Sequence, residues 1–239
     1  MKEIFDFFVV GCQKSGSTWI HNNLKQHQEI TMPDKDESHL FDINYYQNKS
    51  IGMERNGKKL IGESTSSYFR CKYLPQRLHY HNPNSKIIVS LRNPIHRAFS
   101  HYWHERKKGK INFSFEELFE NFDLFENWIE TGFYNTHLKR YLKYFNIDSI
   151  FIIIQEKMLI DKATYYKRIL NFLGVDPYFK PSNLDNIVNP TIINDSSDYN
   201  EYMNGISNET QSKLINIYKE NIRELESLCG IDFSIWNIK

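Results

Sequence analysis

The apolar run Ile4–Val10 feeds directly into Gly11-Cys-Gln-Lys-Ser-Gly-Ser-Thr18, after which Trp19, Ile20 and Leu24 recur at helical spacing. A short apolar run, a glycine-bounded polar turn and a one-sided apolar stripe predict a strand, a tight turn and a helix. The same succession recurs downstream. Lys86–Leu91 is a second apolar run, followed by a helix opening at Pro94, where proline is tolerated because the first helical N–H has no partner to lose. Ser149–Gln155 carries Ile150, Phe151, Ile152, Ile153 and Ile154 without alternation, as expected of a strand covered on both faces. Lys59–Gly62 is a further short strand candidate. Strands separated by helices predict an α/β chain with a three-layer α/β/α arrangement around a central parallel sheet.

The helical segments are marked by periodicity and caps. Phe115–Phe122 follows Ser114, with Glu117 placed for a capping box. Tyr134–Phe145 puts Tyr134, Leu138, Tyr141, Leu142 and Phe145 on one face. Tyr165–Leu173 stops at Gly174, a helix-ending residue, and Leu214–Leu228 keeps the same rhythm. Gln26–Arg55 and Pro181–Ser212 lack periodicity and read as loops, long enough to be lids or binding segments.

With 239 residues and 40% apolar content, one core over residues 1–239, a single domain, is the expectation. Seventeen Phe, 15 Tyr and 4 Trp exclude a disordered chain. Thirty basic against 29 acidic side chains leave a formal charge of +1, too little for nucleic-acid binding by bulk charge. The three cysteines, Cys12, Cys71 and Cys229, are odd in number and far apart, which fits a reducing compartment better than a disulfide scaffold or zinc ribbon. No apolar run is long enough to span a membrane, and the acids within the first residues argue against a signal peptide. The chain therefore reads as cytoplasmic, beginning where its fold begins.

The turn Gly11–Thr18 aims backbone N–H groups and a helix N-terminus at one point, which suits an anion. The same residues also suit an ordinary glycine-serine turn. Against the nucleoside-triphosphatase pattern G-x-x-x-x-G-K-[ST], Gly11, Gly16 and Thr18 match, but Ser17 fills the lysine slot and the lysine sits at position 14. With no evident acid at a strand end to hold magnesium, triphosphate chemistry is disfavoured and no metal is called for. A second constellation, Ser90-Leu-Arg92-Asn-Pro-Ile-His-Arg97-Ala-Phe-Ser100, follows an inner strand. Arg92 lies at the carboxyl end, the edge where ligands collect in open α/β sheets. A guanidinium with the Ser100 hydroxyl makes a second anion site; an internal ion pair and a helix-bonded serine are the other reading.

Gln13-Lys-Ser-Gly-Ser-Thr-Trp19 resembles the 5′-phosphosulfate loop of the P-loop-type sulfotransferases that use 3′-phosphoadenosine 5′-phosphosulfate (PAPS), and Leu91-Arg-Asn-Pro-x-x-Arg-x-x-Ser100 resembles their 3′-phosphate motif. Glu37-Ser-His-Leu-Phe-Asp42, Glu63-Ser-Thr-Ser-Ser-Tyr-Phe69 and Gly132-Phe-Tyr-x-x-x-Leu-x-x-Tyr141 are similar to the glycan-modifying branch, which includes the heparan sulfate enzymes. The tail from Tyr218 to Trp236 is similar to the ending of bacterial members. The resemblance implies sulfuryl transfer from PAPS, leaving PAP, to a hydroxyl or amine of a carbohydrate or small-molecule acceptor. It implies that Lys14, Ser15, Gly16, Ser17, Thr18 and Trp19 hold the 5′ side of the nucleotide and that Arg92 and Ser100 hold the 3′-phosphate. Lys14 and Glu37 are its catalytic candidates, Glu37 as base, with His39 orienting the acceptor or donor.

Two departures accompany the resemblance. The stretch that carries a Lys-Thr-His in cytosolic small-molecule enzymes is here Glu63-Ser-Thr-Ser-Ser, without histidine. Pro181–Ser212 holds no Lys or Arg, so the nucleotide is clamped by polar groups such as Asn189 or by another base such as Arg70. The basic run Glu105–Lys110 is a solvated helix end or a landing site for an anionic acceptor. A P-loop nucleotide kinase or phosphotransferase and a catalytically silent nucleotide-binding module are the competing expectations.

Overall fold

The computed structural model describes residues 4–45, 54–182, 184–186 and 205–238. In chain order the elements are β1 (Phe7–Gly11), α1 (Ser17–Leu24), β2 (Ile30–Thr31), β3 (Leu60–Ser64), α2 (Leu74–His81), β4 (Lys86–Leu91), α3 (Pro94–Lys107), α4 (Tyr134–Leu142), β5 (Ile150–Ile154), α5 (Gln155–Ile160), α6 (Lys162–Leu173) and α7 (Asn208–Cys229). Short helical turns fill Phe115–Gly132. The chain divides into two compact units, Met1–Leu91 with His137–Val188 and Arg92–Thr136 with Asn189–Lys239.

The first unit holds the sheet, in order β2-β3-β1-β4-β5, with every pairing parallel. Both faces of β1 are covered, which is why its sequence reads as a continuous apolar run. Phe7 and Val9 pack with Ile88 and Ile153 against Trp19, Ile20 and Leu24 of α1 and Ile169, Leu170 and Leu173 of α6. Phe8 points the other way, edge-on to Phe41 at 5.2 Å and to His81 of α2 at 6.2 Å. Tyr141 of α4 stands 5.7 Å from Phe69. The sheet is thus flanked by helices, the three-layer α/β fold expected.

The second unit is built on α3 and α7. Asn93 accepts from the N–H groups of Ile95 (3.0 Å) and His96 (3.3 Å) and, followed by Pro94, starts α3 with a side-chain cap. Its amide donates to Trp236 O at 3.0 Å, and Tyr218 of α7 donates to Ile129 O at 2.8 Å. The tail residues therefore pack this unit. Ser114 and Glu117 form the expected capping box, but on a 3₁₀ turn, Phe115–Phe119, shorter than the helix predicted.

Candidate active site

Gly11 ends β1 at φ +113°, and Gly16 caps α1 at φ +89°. A Cβ at Gly11 would lie 2.0 Å from Ser66 O, so only glycine lets β1 and the segment after β3 approach there. The turn is tied to the sheet: Cys12 N–H donates to Ser90 O at 2.6 Å, and the Ser90 hydroxyl donates to Ser15 O. The N–H groups of Ser17 and Thr18 head α1, where no intrahelical acceptor exists. Among the described residues the buried Ser15 Oγ and Gln13 Oε1 have no hydrogen-bond partner. Lys14 is half-buried at φ +66°. Left-handed backbone, a helix N-terminus and an unmatched buried hydroxyl form a cradle that fits a phosphate.

Two contacts bring the segment 36–42 to this cradle. The Thr18 hydroxyl donates to Asp36 Oδ2 at 2.7 Å. Ser66, whose carbonyl abuts Gly11, donates its N–H to Glu37 Oε1 (3.1 Å) and Oε2 (3.3 Å) and its hydroxyl to Oε1. Glu37 N–H in turn donates to Ser64 O at 2.8 Å. His39 Nδ1 lies 3.0 Å from Asp42 Oδ2, which leaves Nε2 facing Glu37 Oε2 at 3.7 Å. Glu37 and His39 are both left-handed, at φ +59° and +54°, a conformation costly for side-chain-bearing residues and sustained where surroundings over-determine it.

In the second unit Arg92 follows β4 directly and is half-buried; its carbonyl accepts from Tyr134 OH at 2.8 Å. Ser100 is half-buried in the second turn of α3. Arg97 is fully buried and donates to Trp128 O. At the end of α3, Lys110 and Lys108 lie 2.9 and 3.8 Å from Glu105.

The sulfotransferase domain family matches residues 5–225. The chain belongs to the sulfotransferase family. It is 27% identical over 195 residues to the bifunctional heparan sulfate N-deacetylase/N-sulfotransferase 2 of Homo sapiens, covering 72% of this chain and 22% of that protein. It is 28% identical over 184 residues to heparan sulfate glucosamine 3-O-sulfotransferase 3B1 of Mus musculus, covering 73% of this chain and 47% of that one. The chain thus spans less than half the length of these curated relatives. The crystal structure of a sulfotransferase from Alicyclobacillus acidocaldarius superposes with a TM-score of 0.80 at 25% identity, over 98% of this chain and 99% of that one.

Within the sulfotransferase's first unit, the cradle, Glu37 and His39 come together through Thr18 and Ser66. Trp19 is the expected nucleotide residue whose side chain is committed elsewhere: the indole is buried against Tyr166 and donates to Leu184 O at 2.9 Å. Of Pro181–Ser212, residues 183 and 187–204, including Asn189, lie outside the described residues. Among the described residues no helix is long and apolar enough to cross a membrane.

Glu63 opens one of the motifs quoted from the sequence, but no role was assigned to it there. It is fully buried at the end of β3, in register with Phe8 of β1 on the aromatic face of the sheet. Burial pushes its carboxyl up to about 7, aided by Glu37 and Asp42 and opposed by hydrogen bonds from Ser38 and Thr65. The available signal was an acid inside an apolar strand, Leu-Ile-Gly-Glu63.

Proposed function

We propose that this sulfotransferase moves a sulfuryl group from PAPS to a hydroxyl or amine of a carbohydrate or small-molecule acceptor, and that residues 1–239 act as one catalytic domain in the cytoplasm. The family match across both units supports the single domain, and the scattered cysteines support the location. The observation that carries the reading is the Ser66 joint, which holds the Glu37 carboxylate against the glycine cradle.

In this reading the N–H groups of Gly16, Ser17 and Thr18, with the Ser15, Ser17 and Thr18 hydroxyls, hold the 5′-phosphate. Arg92 and Ser100 take the 3′-phosphate, on the strength of the motif. The acceptor oxygen or nitrogen attacks sulfur, the bond from sulfur to the bridging oxygen breaks, and its electron pair leaves with PAP. Lys14 neutralises charge gathering on that oxygen, while Glu37 receives the acceptor's proton. His39, oriented by Asp42, stands beside Glu37 and positions the acceptor. Thr18 must exchange Asp36 for phosphate when nucleotide enters. The resemblance of the 37–42 motif to the heparan sulfate enzymes favours a glucosamine-containing glycan acceptor.

The test is transfer of labelled sulfate from PAPS to de-N-acetylated heparosan and to a panel of monosaccharide and phenolic acceptors. Turnover on any acceptor, reduced roughly 10²–10⁴-fold in Glu37→Gln, is the expected result. PAP binding with no turnover on any of them would instead indicate a silent nucleotide-binding module.

A further inference from the structure

Glu63 lies beneath the segment that presents Glu37, and its contacts run to that segment. Its Oε1 accepts hydrogen bonds from the Ser38 hydroxyl and from the Thr65 hydroxyl at 2.5 Å. The Thr65 oxygen also accepts from His39 N–H at 3.2 Å. One carboxyl oxygen therefore anchors Ser38 directly and His39 through a single hydroxyl. Those anchors fall on and beside the two left-handed residues Glu37 and His39, where the backbone is least able to hold itself. The other oxygen, Oε2, is buried with no partner among the described residues. Leaving such an atom buried without a partner is costly, so its retention calls for an explanation.

We propose that Glu63 is a positioning residue that clamps the left-handed Glu37–Ser38–His39 backbone through the Ser38 and Thr65 hydroxyls and so aims the Glu37 carboxylate. Its catalytic consequence rests on Glu37 being the base; the clamp itself does not. The groups facing Glu63 are the carboxylates of Glu37 and Asp42, the phenols of Tyr68 and Tyr141, and, beyond Thr65, His39. Burial above all, with the two nearby acids, favours the neutral form, in which a proton on Oε2 leaves Oε1 to accept both hydroxyls. Glutamine reproduces that form: its carbonyl accepts twice and its amide occupies the place of the protonated oxygen.

Amide hydrogen exchange on the full chain tests the clamp. In Glu63→Ala, protection of the Glu37 and His39 amides falls by about tenfold or more, while the Phe69 amide, bonded to Val10 O in the same unit, stays protected. Glu63→Gln restores protection at both. If Glu63→Ala does not fold, Thr65→Val asks the same question, with loss expected at His39 and not at Glu37. Undiminished protection at His39 in Thr65→Val, or at both amides in Glu63→Ala, overturns the proposal. With an acceptor that turns over, Glu63→Ala lowers kcat, leaves KM for PAPS unchanged and is rescued by Glu63→Gln; equal losses in the two variants also overturn it. Undiminished turnover in Glu37→Gln defeats the base assignment while leaving the exchange result to judge the clamp.

Discussion

Ser66 donates to the Glu37 carboxylate from both its N–H, at 3.1 Å, and its hydroxyl, while its carbonyl occupies the space that a side chain on Gly11 would need. The glycine turn and the carboxylate are therefore positioned by the same residue. A carboxylate fixed in this way is pre-aimed, and removing its basicity without changing its shape isolates the chemistry. Glu37→Gln is expected to lower kcat by roughly 10²–10⁴-fold. Calorimetric affinity for PAP stays within a factor of two or so of wild type, since the amide oxygen in the Oε1 position still accepts from the Ser66 N–H and hydroxyl and only the longer contact to Oε2 is lost. A proportional loss of PAP binding would make Glu37 a nucleotide ligand instead.

Gly11 is confined by space as much as by its dihedral angle. A methyl group there meets Ser66 O at 2.0 Å on a backbone at φ +113°. Gly11→Ala is expected to cost about 1–3 kcal/mol and to lower the melting temperature accordingly. Unchanged melting would show that the segment after β3 yields freely.

Asp36 holds the Thr18 hydroxyl, which the proposed function assigns to the 5′-phosphate, and places a carboxylate at the same point. Asp36→Asn keeps the shape and removes the charge. PAP affinity measured by calorimetry should rise several-fold, and the gain should shrink as salt screens the site. Weaker PAP binding in this variant would mean that Asp36 orients Thr18 for the nucleotide.

Glu63 makes stability depend on pH with a definite sign. Its carboxyl stands at about 7 in the fold against an ordinary value of 4.5. Between those values the folded chain keeps a proton that the unfolded chain has lost, so this contribution is complete below about 4.5 and is lost as pH rises through about 7. The loss is on the order of 3 kcal/mol. Glu63→Gln removes the slope: its melting temperature relative to wild type should climb as pH is raised from 5 to 8. Parallel curves would place the wild-type proton elsewhere.

What the sequence disclosed followed from how local each signal is. β4 was legible with the bounds observed because a strand buried on both faces leaves an unbroken apolar run, and Pro94 announced α3 because proline is tolerated at the first helical position, whereas the Asn93 cap emerged only in the structure. β2 is two residues long and vanished into the loop Gln26–Arg55. α2 buries only Leu74, Pro75 and Leu78 on an otherwise polar helix, too little for its periodicity to register. The Glu37 and His39 segment was found through a short motif, whereas the clamp beneath it joins residues 25 and 26 positions apart, brought together where Glu37 N–H bonds Ser64 O at the end of β3, a long-range pairing with no local signal.

The proposed function assigns the 5′-phosphate to the Gly11–Thr18 turn and the 3′-phosphate to Arg92 and Ser100, and comparing PAP with AMP isolates the second assignment. Calorimetry on wild type and Arg92→Ala measures it directly. Wild type should bind PAP at least about tenfold more tightly than AMP, as a charge-assisted hydrogen bond of roughly 1.5–3 kcal/mol requires, and Arg92→Ala should bind the two alike. Equal affinity for PAP and AMP in wild type would contradict the account.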